Sequence, residues 1–174
     1  MTYTAEEIKI ANATVRSCGT SVFDKDGNIR SIVAKYIATH IDKDKTILDF
    51  GCGPKFVQGN YLNSLGFNVK GYDFGVNKPE YGVELGDTYD LVYASNVLNV
   101  QSSYNMMKET LRQIYNSLKV GGIFVCNYPY TPRKMPEFTP FNLMQYINFA
   151  FKNKCLIQKV GGTNKEPLLM VIKF

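Results

Sequence analysis

The sequence predicts a doubly wound α/β domain whose sheet is mostly parallel and ends in an antiparallel C-terminal strand pair. Three observations predict it. Short apolar runs (TILDF, NVKGYDF, YDLVYAS, GIFVCNY) alternate with segments of helical periodicity, the pattern of strands joined by crossover helices. The last two runs, CLIQKV and LLMVIKF, are joined only by GGTNKEP, a length that suits an antiparallel connection. With 174 residues, 45% of them apolar, the chain can fill one core comfortably but not two. One domain is expected, with residues 1–44 as N-terminal helices forming a lid and 45–174 as the core.

Taken in order, Thr4 and Glu7 have the spacing of a capping box ahead of Ile8, Ile10 and Ala11, which predicts a short first helix. FDKDGN at 23–28 has the acids of a calcium loop, but its glycine comes early and Lys35 stands where the last carboxylate belongs. It reads as a turn, with Asn28 capping the next helix. In that helix Ile29, Ile32, Val33, Tyr36 and Ile37 form one apolar stripe ending near His40. TILDF reads as a buried strand, 56–65 as a helix stopped by Gly66, and NVKGYDF as a second strand. YGVEL is the candidate third strand. YDLVYAS at 89–95 follows, then a helix over 103–118 with Tyr104, Met107, Leu111, Ile114 and Leu118 on one side. After a Gly121-Gly122 turn comes GIFVCNY. Thr139-Pro140 predicts an N-cap and first helical residue for a helix reaching about Phe151.

The stretch ILDFGCGPKF places Gly51 and Gly53 directly after the first strand. In a parallel sheet that is the ligand end, where a chain without Cβ atoms lets a ligand lie close to the next helix N-terminus. Asp73 ends the second strand 24 residues after Asp49, near the separation at which an acid accepts from ribose hydroxyls. A lone GxG is usually just a turn; with strand, helix and acid in place it reads as a nucleotide corner. A dinucleotide fingerprint would want glycine at position 56, which is Phe56.

ILDFGCGPKF resembles the first motif of class I S-adenosylmethionine-dependent methyltransferases. YDLVYASNVLNV resembles the fourth-strand signature of their ubiquinone/menaquinone-biosynthesis-like branch, and LRQIYNSLKVGGIFVCNYP the helix and turn into the fifth strand. The resemblance covers residues 47–129. It implies a Rossmann-like fold and S-adenosylmethionine as cofactor. By position it puts Asp49, Gly51, Cys52 and Gly53 on the methionine and ribose side, Asp73 with Phe74 at the ribose hydroxyls, and Ser95 and Asn96 near the methionine part. Asp87 would meet the adenine amino group, with an exposed turn aspartate as the alternative.

The sequence departs from the family at Lys55, where a third glycine is common, and between Asp73 and Tyr89, where only 15 residues remain for a helix, a strand and the adenine loop. The single histidine, His40, precedes the first motif and reads as a helix-end residue, so no catalytic base is assigned. NYPY at 127–130 resembles the Asn-Pro-Pro-Tyr tetrapeptide of amino-methyltransferases, though that tetrapeptide follows the fourth strand rather than the fifth; a strand-end turn is the alternative. Asn127, Tyr128 and Tyr130 are expected to rim the acceptor pocket, with Arg133 and Lys134 beside them. Arg16 or Arg30 is expected near the cofactor carboxylate, and RSCGTSVF to fold over the site.

From Lys108 onward ten Lys and Arg face three Asp and Glu, a basic third that reads first as solvated surface and second as an anion-binding face. The chain carries no insertion resembling a target-recognition domain. A small-molecule acceptor is therefore expected ahead of DNA or RNA, with a cofactor-binding protein lacking transfer activity as the third reading. Cys18, Cys52, Cys126 and Cys155 lack metal-ligand spacing, so reduced packing thiols and no metal are expected. No apolar run approaches the roughly 18 residues of a membrane span and the opening residues do not read as a signal peptide, which together predict a cytoplasmic protein without a membrane partner.

Overall fold

The computed structural model describes residues 3–17, 23–74 and 85–174. Its elements run α1 (Ala5–Ser17), α2 (Ile32–His40), β1 (Thr46–Phe50), α3 (Val57–Ser64), β2 (Asn68–Tyr72), β3 (Tyr89–Ala94), a single 3₁₀ turn (Leu98–Val100), α4 (Tyr104–Asn116), β4 (Leu118–Asn127), α5 (Pro140–Ala150), β5 (Cys155–Gly162) and β6 (Pro167–Lys173). The six strands lie in the order β2-β1-β3-β4-β6-β5. β1 pairs parallel with β2 and β3, and β3 with β4; β6 runs antiparallel to both β4 and β5, so five strands share one direction.

Strand alternation divides the core in two. Leu48, Phe50, Val92, Ala94, Phe124 and Cys126 pack with Met107, Leu111 and Ile114 of α4 and Leu143 and Ile147 of α5. Ile47, Leu91, Tyr93 and Val125 pack with Val33 and Ile37 of α2 and Leu62 of α3. Helices therefore cover both faces, and a strand buried on both sides reads as a continuous apolar run, which is why TILDF and DLVYA lack polar alternation.

Local signals set most boundaries. Glu7 N–H donates to Thr4 Oγ1 at 3.2 Å while Thr4 N–H donates to Glu7 Oε2 at 2.8 Å, closing the expected capping box of α1. Thr139 caps α5 in the same way with Asn142, and Pro140 takes the first turn. The cap expected at Asn28 is instead Ser31, whose Oγ accepts from Ala34 N–H at 3.1 Å. Asn28 stays in the turn, where its backbone and side-chain N–H groups donate to Asp24. Ile29 is buried even so, because Phe23 and Ile29 form a small bridge ahead of α2.

The Gly121-Gly122 turn lies within β4 and not before it. Register against β3 jumps from Tyr89↔Leu118 to Leu91↔Ile123, and Gly121 takes φ 77° in that bulge. Phe56 also departs from its expected helical place: it is the N-cap of α3 with φ 47°, and its ring folds back beneath the helix. A Cβ added at Gly59 would lie 1.9 Å from that ring and one at Gly71 2.7 Å, so both glycines are there to receive it. Lys55 is exposed, consistent with an outward side chain where the family often has glycine. The candidate strand YGVEL lies outside the described residues except for Leu85, as do Cys18–Ser21 of RSCGTSVF with Val22 and the Arg16 side chain.

Candidate functional site

The chain leaves β1, crosses to β2 at the sheet edge and returns past β1 to β3, so the loops after β1 and β3 diverge to opposite faces. A cleft forms at such a reversal. Gly51–Gly53 stand on one side of it and Ser95–Asn96 on the other.

The corner is held by backbone bonds. Gly51 N–H (2.7 Å) and Cys52 N–H (3.0 Å) both donate to the Tyr72 carbonyl at the end of β2, and Gly53 N–H donates to Asp73 Oδ2 at 2.9 Å. Gly51 and Gly53 have φ of 81° and 69°, which disfavours any side chain. They differ in surroundings. A Cβ at Gly51 would strike Val97 at 2.5 Å, whereas one at Gly53 would meet nothing within 4 Å, so the chain is open to a ligand at Gly53. Burial raises the Cys52 thiol well above its usual range, with the charges of Asp49 and Asp73 acting in the same direction; it stays neutral.

Asp49 lies beneath this corner and is 3% exposed. Burial pushes its carboxyl up to about 7; the Tyr93 side chain and the Gly59 N–H oppose the rise and the charge of Asp73 adds to it. Gly59 is the third residue of α3, a helix whose own N-cap supplies no side-chain bond, so Asp49 supports the helix start from the adjacent strand. Asp73 and Phe74 follow β2, and the Phe74 ring lies 4.8 Å from that of Tyr3. The Tyr3 hydroxyl shares a hydrogen bond with Thr110 Oγ1 of α4 at 2.8 Å, and Ser103 donates to Glu7, so α1 docks on α4 beside the end of β2.

On the other side Ser95 Oγ bonds Ser31 Oγ at 3.1 Å and accepts from Gln58 Nε2 at 3.0 Å, tying the starts of α2 and α3 to the end of β3. Gln58 Oε1 is enclosed and has no partner among the described residues. Asn96, at φ 57°, is clamped by Asn127 in both directions: Asn96 N–H donates to Asn127 Oδ1 and Asn127 Nδ2 donates to Asn96 Oδ1, each at 2.8 Å.

These residues open onto a cleft of about 470 Å³ lined by Arg30, Ser31, Gln58, Asn96, Asn127 and Pro129 and closed by Gly162, Thr163 and Glu166 of the β5–β6 hairpin. Among the described residues no group of His, Cys, Asp or Glu is placed to hold a metal ion, and no helix is long and apolar enough to cross a membrane. His40 lies against Tyr36, its Nδ1 3.1 Å from the Tyr36 carbonyl, at the opposite end of the sheet.

Two expected site residues are elsewhere. Asp87 precedes β3 and therefore sits at the amino edge of the parallel strands, beside Thr46, Asn68 and Lys70. No adenine site at the carboxyl ends can include it. Tyr128 is 1% exposed, its hydroxyl donating to the Phe138 carbonyl at 2.9 Å, so its ring belongs to the core and not to a rim. Tyr130 is 62% exposed and Asn127 lines the cleft. Arg133 bonds the carbonyls of Pro129, Tyr128 and Lys165 and lies over the rings of Tyr128 and Tyr130, which fastens the loop after β4 to the hairpin. Ser31, Gln58, Thr163 and Glu166 were not singled out in the sequence. Ser31 alone carried a signal, as an N-cap three residues ahead of Ala34.

A family model described as a methyltransferase domain matches residues 25–158. No curated protein matches the chain. Among solved structures, a TehB-like SAM-dependent methyltransferase from Corynebacterium glutamicum is 16% identical with a TM-score of 0.63, over 97% of this chain and 96% of that one. CalS10, an amino pentose methyltransferase from Micromonospora echinaspora solved with SAM bound, is 15% identical with a TM-score of 0.61, over 100% and 98%. A 16S rRNA N2 G1207 methyltransferase from T. thermophilus, in complex with AdoMet and guanosine, is 11% identical with a TM-score of 0.52, over 82% of this chain and 39% of that one.

Proposed function

Because the chain belongs to the methyltransferase-domain family and is an enzyme that uses S-adenosylmethionine, we propose that it transfers the methyl group to a small molecule held in the cleft between α2, the ends of β3 and β4, and the β5–β6 hairpin. One observation carries this reading. The cleft lies at the ends of β3 and β4, where Ser31 and Gln58 are joined through Ser95, and its mixed lining of hydroxyls, amides, Ile32, Pro129, Arg30 and Glu166 is sized for a metabolite.

On this reading Gly51, Cys52 and Gly53 form the backbone cradle, with open space at Gly53 and Asp49 supporting it from below. Asp73, already oriented by the Gly53 N–H, takes the ribose side beside Phe74, while Ser95 and Asn96 face the methionine side. The donor set fits the cofactor: an oriented carboxylate for hydroxyls, and small residues where the chain must be approached. S-adenosylmethionine brings a methyl group on a positively charged sulfur. The protein's share is alignment and exclusion of water. The reciprocal Asn96–Asn127 amides fix one wall of the cleft, and Arg133 fixes the other by holding the hairpin to the loop after β4.

A second reading, with a nucleic-acid base as acceptor, is favoured by the exposed Tyr130 ring at the mouth, which offers a stacking surface. Arg133 beside it keeps its charge, with Nε and Nη2 holding backbone carbonyls.

Isothermal titration with S-adenosylmethionine and S-adenosylhomocysteine tests the cofactor site. Micromolar binding lost in Asp73→Ala is expected. A labelled-methyl screen over metabolite, DNA and RNA pools then tests the acceptor, with label expected in the metabolite pool. Label confined to RNA or DNA overturns the small-molecule reading.

A further inference from the structure

The polar groups that line the cleft are mostly spent on one another. Asn127 uses both ends of its amide on Asn96, and Ser31 and Gln58 Nε2 are joined through Ser95. Two charged side chains remain, Arg30 and Glu166. Arg30 is exposed in that lining, and its charge is the smallest of the influences that lower the Asp24 pKa. Glu166 Oε1 accepts from Tyr130 N–H at 2.7 Å, and its Oε2 has no partner among the described residues.

This carboxylate stands out against its surroundings. From Lys108 to the end only Glu109, Glu137 and Glu166 oppose ten basic residues, and Glu109 is engaged by Arg112 and Gln113. Glu166 is nonetheless the sole carboxylate among the residues lining the cleft. It is also held in place. Its N–H donates to Thr163 Oγ1 at 3.0 Å, its carbonyl accepts from Thr163 N–H at 3.1 Å, and Arg133 anchors the neighbouring Lys165 carbonyl. A carboxylate on the exposed hairpin wall of the cleft, with one oxygen held by Tyr130 N–H, favours N–H donors and positive charge at that wall.

We propose that the methyl acceptor is a small amine whose nitrogen is received by Glu166, an assignment that rests on the small-molecule reading above. The uncharged amine forms a new N–C bond with its lone pair as the bond from the methyl carbon to sulfur breaks, that electron pair remaining on sulfur. S-adenosylhomocysteine is left, and the nitrogen, now positive, releases one proton to water. The carboxylate faces the positive charge that develops on nitrogen during transfer.

The test uses labelled S-adenosylmethionine with matched pairs of acceptors: glucosamine against glucose, 2-phenylethylamine against 2-phenylethanol, and putrescine against 1,4-butanediol. Wild type and Glu166→Gln are compared; the amide still accepts from Tyr130 N–H, so the hairpin keeps its anchor while the charge is lost. Label is expected in at least one amine and not in its alcohol. In Glu166→Gln, kcat/KM for that amine should fall about tenfold or more with S-adenosylhomocysteine affinity within about twofold of wild type. Equal labelling of amine and alcohol, no label in any amine despite bound S-adenosylhomocysteine, or an unchanged kcat/KM in Glu166→Gln would overturn the amine assignment and leave methyl transfer standing. Absence of binding to either cofactor form by wild type would instead overturn the reading beneath it.

Discussion

Asp49 shows how one buried group ties the glycine corner to pH. Its folded pKa of about 7 lies above the ~3.9 of an unfolded chain, so between those values the native state holds more protons than the unfolded one. Stability must then fall as pH rises from about 4 to about 7 and level off above. Asp49→Asn should remove that slope while its Oδ1 still accepts from Gly59 N–H, and should exceed wild type at pH 8 by a few kcal/mol, an advantage that vanishes near pH 4. Urea denaturation across this range checks it; parallel pH curves would refute it. Residue parity explains one of the two misplaced site assignments. Tyr128 shares the face of Phe124 and Cys126, whereas Asn127 shares that of Val125, and only the latter face opens at its end to the cleft. Asp87 was misplaced because a residue just before a parallel strand is at its amino edge, a topological fact that no motif spacing reports.

Among elements, α3 depends on a ring and two glycines. Gly59→Ala puts a methyl group into the Phe56 ring, an overpacking expected to cost about 1–3 kcal/mol or more. The double variant Phe56→Leu with Gly59→Ala should recover part of that loss, and thermal melts of the two singles and the double measure the coupling. At the far end of the sheet Lys173 of β6 donates to the carbonyls of Tyr115 and Leu118 and lies 3.9 Å from the Tyr115 ring centroid, closing the end of α4. Lys173→Met should cost about 1–3 kcal/mol in urea denaturation because those carbonyls lose their donor. Strands and helices were legible because apolar runs and caps are local: Thr4 with Glu7 and Thr139 with Pro140 located their helices. Asn28 and Ser31 were not separable, since both are good caps and the choice fell to Asp24, which occupies the Asn28 side chain. The Gly121 bulge was read as a turn because positive φ is common to both.

For the whole molecule, the sheet and its two cores hold most of the buried side chains, while among the described residues α1 meets α4 through Glu7 and the preceding Tyr3, with Ala11 buried. The amides of α1 should exchange with deuterium before those of β1, β3 and β4, as mass spectrometry of the exchanging protein would report; equal protection would show α1 to open together with the sheet. The glycine corner was legible from sequence, since Gly51, Gly53 and Asp73 must follow parallel strands in a set order. The lining of the cleft was not, because Ser31, Gln58 and Glu166 are brought together by packing across more than a hundred residues of chain. That separation has an evolutionary consequence. One wall of the cleft is the turn of the β5–β6 hairpin, Gly162–Glu166, and lengthening a turn adds only about 0.6 kcal/mol of closure entropy per doubling. On the proposed function, new substrate preferences can therefore arise by insertion at this one turn, in a lineage or on the bench, while the glycine corner is inherited unchanged.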